Sequence, residues 1–282
     1  SIRLTDRWGS GGLRTSICLA PPGGRAGCNA WYLHAGQRRR VVRLDTPRIG
    51  GWRVDVRGPS GKPHARTTWV SHPGPVRLLA AGDSEMQILD SLIAQNLASH
   101  GVTVASDARV STGLTNSFFF DWQGHARVQA PSRKPDVTVI FMGANDGFAV
   151  SAPGGHSVSC CSSTWSSGYA NLVAELMRTY LQGNRGRVYW FTLPVPRPGN
   201  FQYLFRAINA GIRQAAHRFP GRVGLIDANA FFTPGGRYRD FMTYRGQGFV
   251  IHEPDGIHLS VASDQVATTL LSRRLVADHV IR

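Results

Sequence analysis

The chain has 282 residues, enough for one large domain, or for a medium domain and a small one, each with its own hydrophobic core. It carries 32 Lys and Arg against 17 Asp and Glu, a formal net charge of +15. No apolar stretch approaches the roughly 20 residues of a membrane-spanning helix, which argues against a transmembrane segment within these residues. Zinc-finger, ribonucleoprotein and helix-turn-helix signatures are absent, so the basic charge does not indicate nucleic acid as a partner.

The basic charge is concentrated near the N terminus. Residues 1–75 contain twelve Arg and one Lys against three Asp, a net charge of +10, whereas the remaining residues contribute only +5. One interpretation is an ordinary solvated surface. The other is a surface that binds an anionic polymer or a layer of lipid headgroups.

The first 75 residues consist of short segments that alternate apolar and polar side chains, namely "CNAWYLHAG", "RRVVRLDTP", "GWRVDVRGPSG" and "ARTTWV". Turn-forming stretches such as "GPSGKP" separate them. This pattern predicts a small all-β domain over residues 1–75, with an Ig-like sandwich as the candidate architecture. The stretch "SHPGP" at 71–75 is the predicted linker to the next domain.

From Val76 onwards, apolar strand patterns alternate with helix patterns. The predicted strands are "VRLLAAG", "VTVASDA", "DVTVIFMG", "RVYWFTLP" and "RVGLIDA". The predicted helices are "SEMQILDSLIAQNLASHG", "YANLVAELMRTYL", "FQYLFRAINAGIRQAAHRF" and "SVASDQVATTLLSRRLVADHV". Such alternation is typical of a parallel sheet covered by helices, so residues 76–282 are predicted to form an α/β domain.

The four cysteines, Cys18, Cys28, Cys160 and Cys161, lack the spacing of metal ligands. Their even number fits disulfides formed outside the cytoplasm. A bond between Cys18 and Cys28 would close a short loop, whereas a bond between the adjacent Cys160 and Cys161 would strain the peptide between them. The chain also begins at Ser1 rather than Met, which fits removal of a leader or anchor. We therefore expect a secreted or extracytoplasmic protein without a metal.

Four short blocks follow the predicted strands or precede the last helix. They are Gly-Asp-Ser with Ser84, "STGLT" with Gly113, Gly-Ala-Asn-Asp with Asn145, and "EPDGIHLS" with Asp255 and His258. Each block alone has an ordinary explanation, such as a helix cap, a turn residue or a surface histidine. Ligands of open parallel sheets bind beyond the carboxyl ends of the strands, where these blocks are expected to meet.

Residues 76–282 resemble the SGNH (GDSL-type) hydrolase family, whose four blocks centre on the same Ser, Gly, Asn and Asp-x-x-His. The resemblance implies a three-layer, flavodoxin-like sheet flanked by helices. One departure is Glu85, where the family usually has Leu or Val after the serine. The sequence stretches "GLTNSFFFDW" and "GAND" are similar to those of bacterial extracytoplasmic members, including those attached to membrane acyltransferases. A membrane anchor or such a partner outside this chain is therefore one expectation.

The blocks contain the groups that nucleophilic catalysis requires. A serine hydroxyl needs a neighbouring base, which His258 can supply to Ser84 if Asp255 orients the imidazole. The predicted donors of the oxyanion hole are the backbone N–H groups of Ser84 and Gly113 and the side-chain amide of Asn145. No cofactor is implied.

Other polar and aromatic residues near the blocks receive secondary interpretations. Asp83 and Asp146 could serve as additional acids but are expected to hold turns beneath the site, and His252 is expected to lie at its rim or to contact substrate. The cluster of Phe118, Phe119, Phe120 and Trp122 is either core or a platform for sugar stacking. The loop over residues 144–168 is long enough to be functional.

The sequence leaves three functions open. The leading one is a secreted serine esterase that removes O-acyl groups, acetyl above all, from a carbohydrate. The second is an O-acyltransferase that passes the same acyl group to a hydroxyl of a cell-envelope polysaccharide. The third, from another class, is a non-catalytic module that binds an anionic polymer.

Overall fold

The computed structural model describes residues 2–5, 13–21, 24–33, 39–42, 50–58, 60, 62–71, 75–151 and 154–281. The chain divides into two compact units. The first unit comprises Ser1–Gly74 with Asp278–Arg282, and the second comprises Pro75–Ala277. Residues 72–74 of the predicted linker lie outside the described residues.

The first unit is built from β-strands, as predicted. The strands are β1 (Ile2–Thr5), β2 (Leu13–Ala20), β3 (Gly27–Leu33), β4 (Arg39–Val42), β5 (Gly50–Arg57) and β6 (Pro63–Ser71). An antiparallel sheet has the order β3-β2-β5-β6, and β1 pairs with β4. Val42 of β4 packs on Ile17 and Val54 of the larger sheet, so the core of this unit lies between the two sheets. Cys18 and Cys28 face each other across β2 and β3 and form a disulfide.

The second unit contains the predicted parallel sheet. Its strands are β7 (Val76–Gly82), β8 (Val102–Ala108), β9 (Val137–Phe141), β12 (Arg187–Phe191) and β13 (Val223–Ile226). Two short antiparallel pairs of strands are separate from this sheet. They are β10 (Val150–Ser151) with β11 (Ser157–Val158), and β14 (Phe241–Tyr244) with β15 (Gln247–Val250). The order in the sheet is β8-β7-β9-β12-β13, with every pair parallel. This order is the flavodoxin-like arrangement, which confirms the predicted fold class.

Helices cover both faces of this sheet. They are α1 (Leu89–Leu97), α2 (Trp122–Arg133), α3 (Ser163–Leu181), α4 (Gly199–Ala216), α5 (Ala228–Phe232) and α6 (Val261–Ala277). Helices α1 and α6 pack on each other, and α3 packs on both α2 and α4. Strand β9 is buried along its whole length, as expected for a central strand between two helical layers. None of the helices within the described residues has the length and apolarity needed to cross a membrane.

The structure differs from the sequence prediction in several places. The predicted helix after Ser84 begins as a 3-10 turn, Ser84–Met86, before α1 starts at Leu89. Its apolar stripe is nevertheless buried, and Gly101 ends it in the left-handed conformation, with φ 69°. Helix α2 and the β14–β15 hairpin were not predicted. Cys160 and Cys161 are also joined by a disulfide, which corrects the expectation against an adjacent pair.

Candidate active site

The turn that carries Ser84 connects β7 to the 3-10 turn Ser84–Met86. Gly82 is required there because a Cβ atom at this position would lie 2.0 Å from the carbonyl oxygen of Phe141. Asp83 then accepts a hydrogen bond of 3.0 Å from the backbone N–H of Glu85 and so caps the 3-10 turn. Ser84 is thereby held at the carboxyl end of β7, at the edge of the sheet.

His258 and Asp255 complete a hydrogen-bonded chain with this serine. The Nε2 atom of His258 lies 2.8 Å from Ser84 Oγ, and its Nδ1 atom lies 2.5 Å from Asp255 Oδ2. The other oxygen of Asp255 accepts hydrogen bonds from the backbone N–H groups of Ile257, at 2.8 Å, and His258, at 3.1 Å. The structure therefore brings the three predicted catalytic side chains together in the order required for nucleophilic catalysis.

The electrostatics of Asp255 favour its ionised form. Burial raises the pKa of Asp255, but the hydrogen bonds from His258 and Ile257 outweigh burial, so the pKa is lowered overall. The loop is tight because the backbone N–H of Glu253 donates to the carbonyl of His258 at 2.8 Å, while Gly256 adopts φ 72°. A carboxylate fixed in this loop holds the imidazole with Nδ1–H towards Asp255 and Nε2 towards Ser84.

The predicted oxyanion donors differ in whether they already have a hydrogen-bond acceptor in the protein. Among the described residues, no acceptor is hydrogen-bonded to the backbone N–H of Ser84 or of Gly113. The Asn145 amide, in contrast, donates to the carbonyl of Thr112 at 3.1 Å and more weakly to Asp83 at 3.4 Å. The two backbone donors thus have no protein acceptor among the described residues, whereas the Asn145 amide would have to exchange a protein acceptor for the oxyanion.

Two buried carboxylates tie the blocks to one another. Asp83 accepts from the backbone N–H of Gly143 at 2.8 Å, and Asp146 accepts from the Thr115 N–H at 2.6 Å and from Tyr169 Oη at 2.7 Å. Burial raises the pKa of each carboxyl to about 6, although these hydrogen bonds oppose the shift. The contacts support the structural interpretation of both residues, since every bond is made to the protein itself.

Gly113 is needed for the same packing. A Cβ atom there would lie 2.6 Å from Asp146 Oδ1. The close approach of this backbone to a buried carboxylate explains why the second block contains glycine at this position.

Of the remaining candidate residues, some are buried and others are exposed. His252 is buried rather than at the rim, with only 3% of its surface exposed, and burial lowers its pKa to about 4. Trp122 belongs to the core, whereas Phe118 and Phe119 are exposed and Phe118 packs edge-on against Phe148. Across the described part of the chain, no group of three or more His, Cys, Asp or Glu side chains is arranged to hold a metal ion.

In the sequence, Glu85 stands out only as a departure from the family pattern, and Asp264 does not stand out at all. Both carboxyl groups are buried beside Ser84 and line one cavity with it. Glu85 is recognisable from its place in the first block. Asp264, on α6, has no sequence signal that would separate it from an ordinary residue in the first turn of a helix.

The flavodoxin-like sheet thus carries a hydrogen-bonded Ser–His–Asp chain at its carboxyl edge, with the four blocks around it. The chain belongs to the family described as protein of unknown function (DUF459), which matches residues 77–274. No curated protein matches the chain.

Solved structures with similar folds share little sequence with this chain. One is a candidate SGNH hydrolase from Slackia heliotrinireducens, 19% identical, covering 71% of this chain and 98% of its own, with a TM-score of 0.48. Another is the catalytic domain of peptidoglycan O-acetyltransferase A from Streptococcus pneumoniae, 12% identical, covering 74% and 97%, with a TM-score of 0.47. A third is a family two carbohydrate esterase from Clostridium thermocellum in complex with cellohexaose, 14% identical, covering 95% and 86%, with a TM-score of 0.43.

Proposed function

We propose that the protein is a serine esterase that acts outside the cytoplasm and removes O-acyl groups, acetyl above all, from a carbohydrate. The observation that carries the proposal is the continuous chain from Ser84 Oγ through His258 to Asp255, with distances of 2.8 and 2.5 Å. The carbohydrate follows from the resemblance of the second and third blocks to those of bacterial extracytoplasmic members of the SGNH family.

The first half of the reaction forms an acyl-enzyme. His258 Nε2 takes the proton of Ser84 Oγ as the oxygen attacks the ester carbonyl carbon, and Asp255 stabilises the resulting imidazolium. The negative charge on the carbonyl oxygen is stabilised by the backbone N–H groups of Ser84 and Gly113, with Asn145 as the third donor. The ester C–O bond then breaks, and His258 returns the proton to the departing alkoxide.

The second half of the reaction releases the acyl group. His258 takes a proton from water, the resulting hydroxide attacks the acyl carbonyl, and Ser84 leaves as its alkoxide and regains the proton from His258. If a sugar hydroxyl takes the place of water, the same residues perform O-acyl transfer. A cavity beside His258 whose lining includes the carboxyl residues Glu85 and Asp264 favours a bound alcohol and makes transfer the second candidate.

The basic first unit is proposed to hold the enzyme on an anionic polymer of the cell envelope. Its support is the net charge of +10 over residues 1–75. The disulfide between Cys18 and Cys28 supports an oxidising location for this unit.

Hydrolysis of 4-nitrophenyl acetate tests the proposed activity. Wild-type protein should release nitrophenol, Ser84→Ala should lose nearly all turnover, and Ser91→Ala, at an exposed position on α1, should not. Addition of a sugar separates the two candidates, since acetylated sugar accumulates only in transfer. A folded wild-type protein without turnover on this or any simple acetate ester would contradict both.

A further inference from the structure

A cavity of about 220 Å³ opens beside the nucleophile. It lies between the 3-10 turn Ser84–Met86, the loop that carries Asp255 and His258, and the first turn of α6. Four of the described residues that line it are acidic, and none is Lys or Arg: they are Glu85, Glu253, Asp255 and Asp264. An acidic cavity in a chain of net charge +15 is therefore a local feature and not a consequence of composition.

Two of these carboxyl groups have an oxygen without a partner. Glu85 Oε1 and Asp264 Oδ1 are buried and hydrogen-bonded to no described group. The residues themselves are only 5% and 3% exposed. Buried polar atoms in native proteins nearly always have partners, and each exception needs an explanation, such as an ordered water, an ion or a role in catalysis.

The position of the cavity relative to the nucleophile indicates which part of an ester it receives. His258 lines the cavity, whereas Gly113 and Asn145, on the oxyanion side, do not. In the proposed reaction His258 delivers a proton to the departing alcohol and takes one from the incoming acceptor. The alcohol must therefore lie on the His258 side of Ser84, where the cavity is.

We propose that Glu85 and Asp264 bind the alcohol part of the ester, a polyhydroxylated group of about one sugar ring, through hydrogen bonds to their two unpartnered carboxyl oxygens. This inference rests on the proposed esterase function. The cavity is smaller than the roughly 300 Å³ of typical ligand pockets, which fits a single ring and not an oligosaccharide.

The protonation of the two carboxyl groups fits hydroxyl ligands. Burial raises the pKa of Asp264 to about 8, with Glu253 and Asp90 adding to the shift. Burial also raises the pKa of Glu85 well above its usual range, helped by Asp83, Asp264 and Asp255, while a hydrogen bond from the backbone of Leu259 opposes the shift. At neutral pH Asp264 is mostly protonated, and the raised pKa of Glu85 also favours its protonated form; a protonated carboxyl can both donate and accept, as a sugar hydroxyl does.

Two acetate esters that differ in hydroxyl groups test the inference. Methyl 6-O-acetyl-glucopyranoside and ethyl acetate share a primary acetate, and the measured quantity is the ratio of their kcat/KM values. We expect a ratio of about ten or more in the wild type, as one or two added hydrogen bonds would give. Glu85→Leu should reduce the ratio to about one, and Asp264→Leu should act in the same direction.

Two further variants separate hydroxyl binding from charge and from nonspecific effects. Glu85→Gln keeps a donor and an acceptor without a charge, so it should retain a ratio within about threefold of the wild type. Glu175→Gln, on the exposed surface of α3, is the control and should keep the full ratio. Folding of each variant is checked by thermal unfolding, and Asp264→Leu takes the place of Glu85→Leu if the latter fails to fold.

Failure of the proposed binding role can be distinguished from failure of the proposed esterase function. A wild-type ratio near one, or a ratio unchanged in Glu85→Leu, overturns the binding role while hydrolysis of ethyl acetate upholds the esterase. A ratio lost equally in Glu85→Gln and Glu85→Leu shows that the charge is required and overturns hydroxyl binding. A wild type that hydrolyses neither ester overturns the esterase and this inference together.

Discussion

Asp83 Oδ2 accepts a hydrogen bond of 2.8 Å from the backbone N–H of Gly143, which joins the turn of the nucleophile to the turn of the third block. The same oxygen lies 3.2 Å from the backbone nitrogen of Ala144, so one buried carboxylate serves two donors of that turn. Ser84 and the loop containing Asn145 are therefore positioned by the same side chain.

Replacement of this carboxylate should affect both stability and rate. In Asp83→Asn, the side-chain amide nitrogen can face the backbone N–H donors, from which it cannot accept a hydrogen bond. Loss of a buried acceptor typically lowers the free energy of unfolding by about 1–3 kcal/mol. We expect a lower melting temperature and a reduced kcat with 4-nitrophenyl acetate. Asp121→Asn is the matched control, because asparagine also caps helices and Asp121 caps the exposed start of α2. Equal behaviour of the two variants would contradict the positioning role of Asp83.

Gly113→Ala should be poorly tolerated, because its Cβ would lie 2.6 Å from Asp146 Oδ1. Overpacking of this kind costs about 1–3 kcal/mol, and the shift would also move a proposed oxyanion donor. The measurements are thermal unfolding and kcat with 4-nitrophenyl acetate. Gly199→Ala, at the start of α4 with no atom within 4 Å of the added Cβ, should leave both nearly unchanged. A Gly113→Ala variant as stable and active as the Gly199→Ala control would be inconsistent with this packing.

The raised pKa of Asp264 predicts a dependence of stability on pH. The folded protein retains the Asp264 proton up to about pH 8, whereas the unfolded chain releases it near the ordinary value of 3.8. In this window the folded state binds more protons, so the contribution of Asp264 to stability falls as pH rises. Asp264→Asn lacks this titration, and its melting temperature relative to the wild type should therefore increase from pH 5 to pH 8.

The melting temperature of Asp264→Asn relative to the wild type should increase by at least about 3 °C over this range. A change of about 1 kcal/mol in the free energy of unfolding shifts the melting temperature of a domain of this size by roughly 2–4 °C. Glu85, Glu253 and Asp90 are present in both proteins, but Asp264 contributes to the raised pKa of Glu85, so the comparison measures Asp264 together with its effect on Glu85. Glu175→Gln should show no such trend. A constant difference between Asp264→Asn and the wild type across this range would show that Asp264 does not retain its proton on folding.

Removal of the basic first unit should separate polymer binding from catalysis. A truncated chain that begins at Val76 contains every proposed catalytic residue, so it should hydrolyse 4-nitrophenyl acetate. The full chain should bind an immobilised acidic polysaccharide at low salt and elute as salt rises, because the Debye length falls from roughly 10 Å at 0.1 M to about 3 Å at 1 M. The truncated chain should bind far less. Equal retention of both chains would make the N-terminal charge incidental.

The parallel sheet and the meeting of the four blocks could be predicted because buried strands are continuous apolar runs whose carboxyl ends share one edge. Helix α2 was missed for a physical reason. Its sequence "WQGHARVQAPSR" contains Gly124 and Pro131, and only Trp122, Ala126, Gln129 and Ala130 are buried, so the helical stripe is faint. The partnership of Glu85 with Asp264 depends on the packing of α6 beside the nucleophile turn, which local sequence patterns do not contain.

Covalent labelling of the nucleophile tests the central claim most directly. A fluorophosphonate reacts with a serine whose hydroxyl is activated by a neighbouring base, and peptide mass spectrometry locates the adduct. We expect one phosphonylated serine, Ser84, in the wild type and no adduct in Ser84→Ala. His258→Ala should label much more slowly, because the base that lies 2.8 Å from the hydroxyl is gone. An adduct on another serine, or ester hydrolysis that continues after Ser84 is fully labelled, would contradict the assignment of the active site.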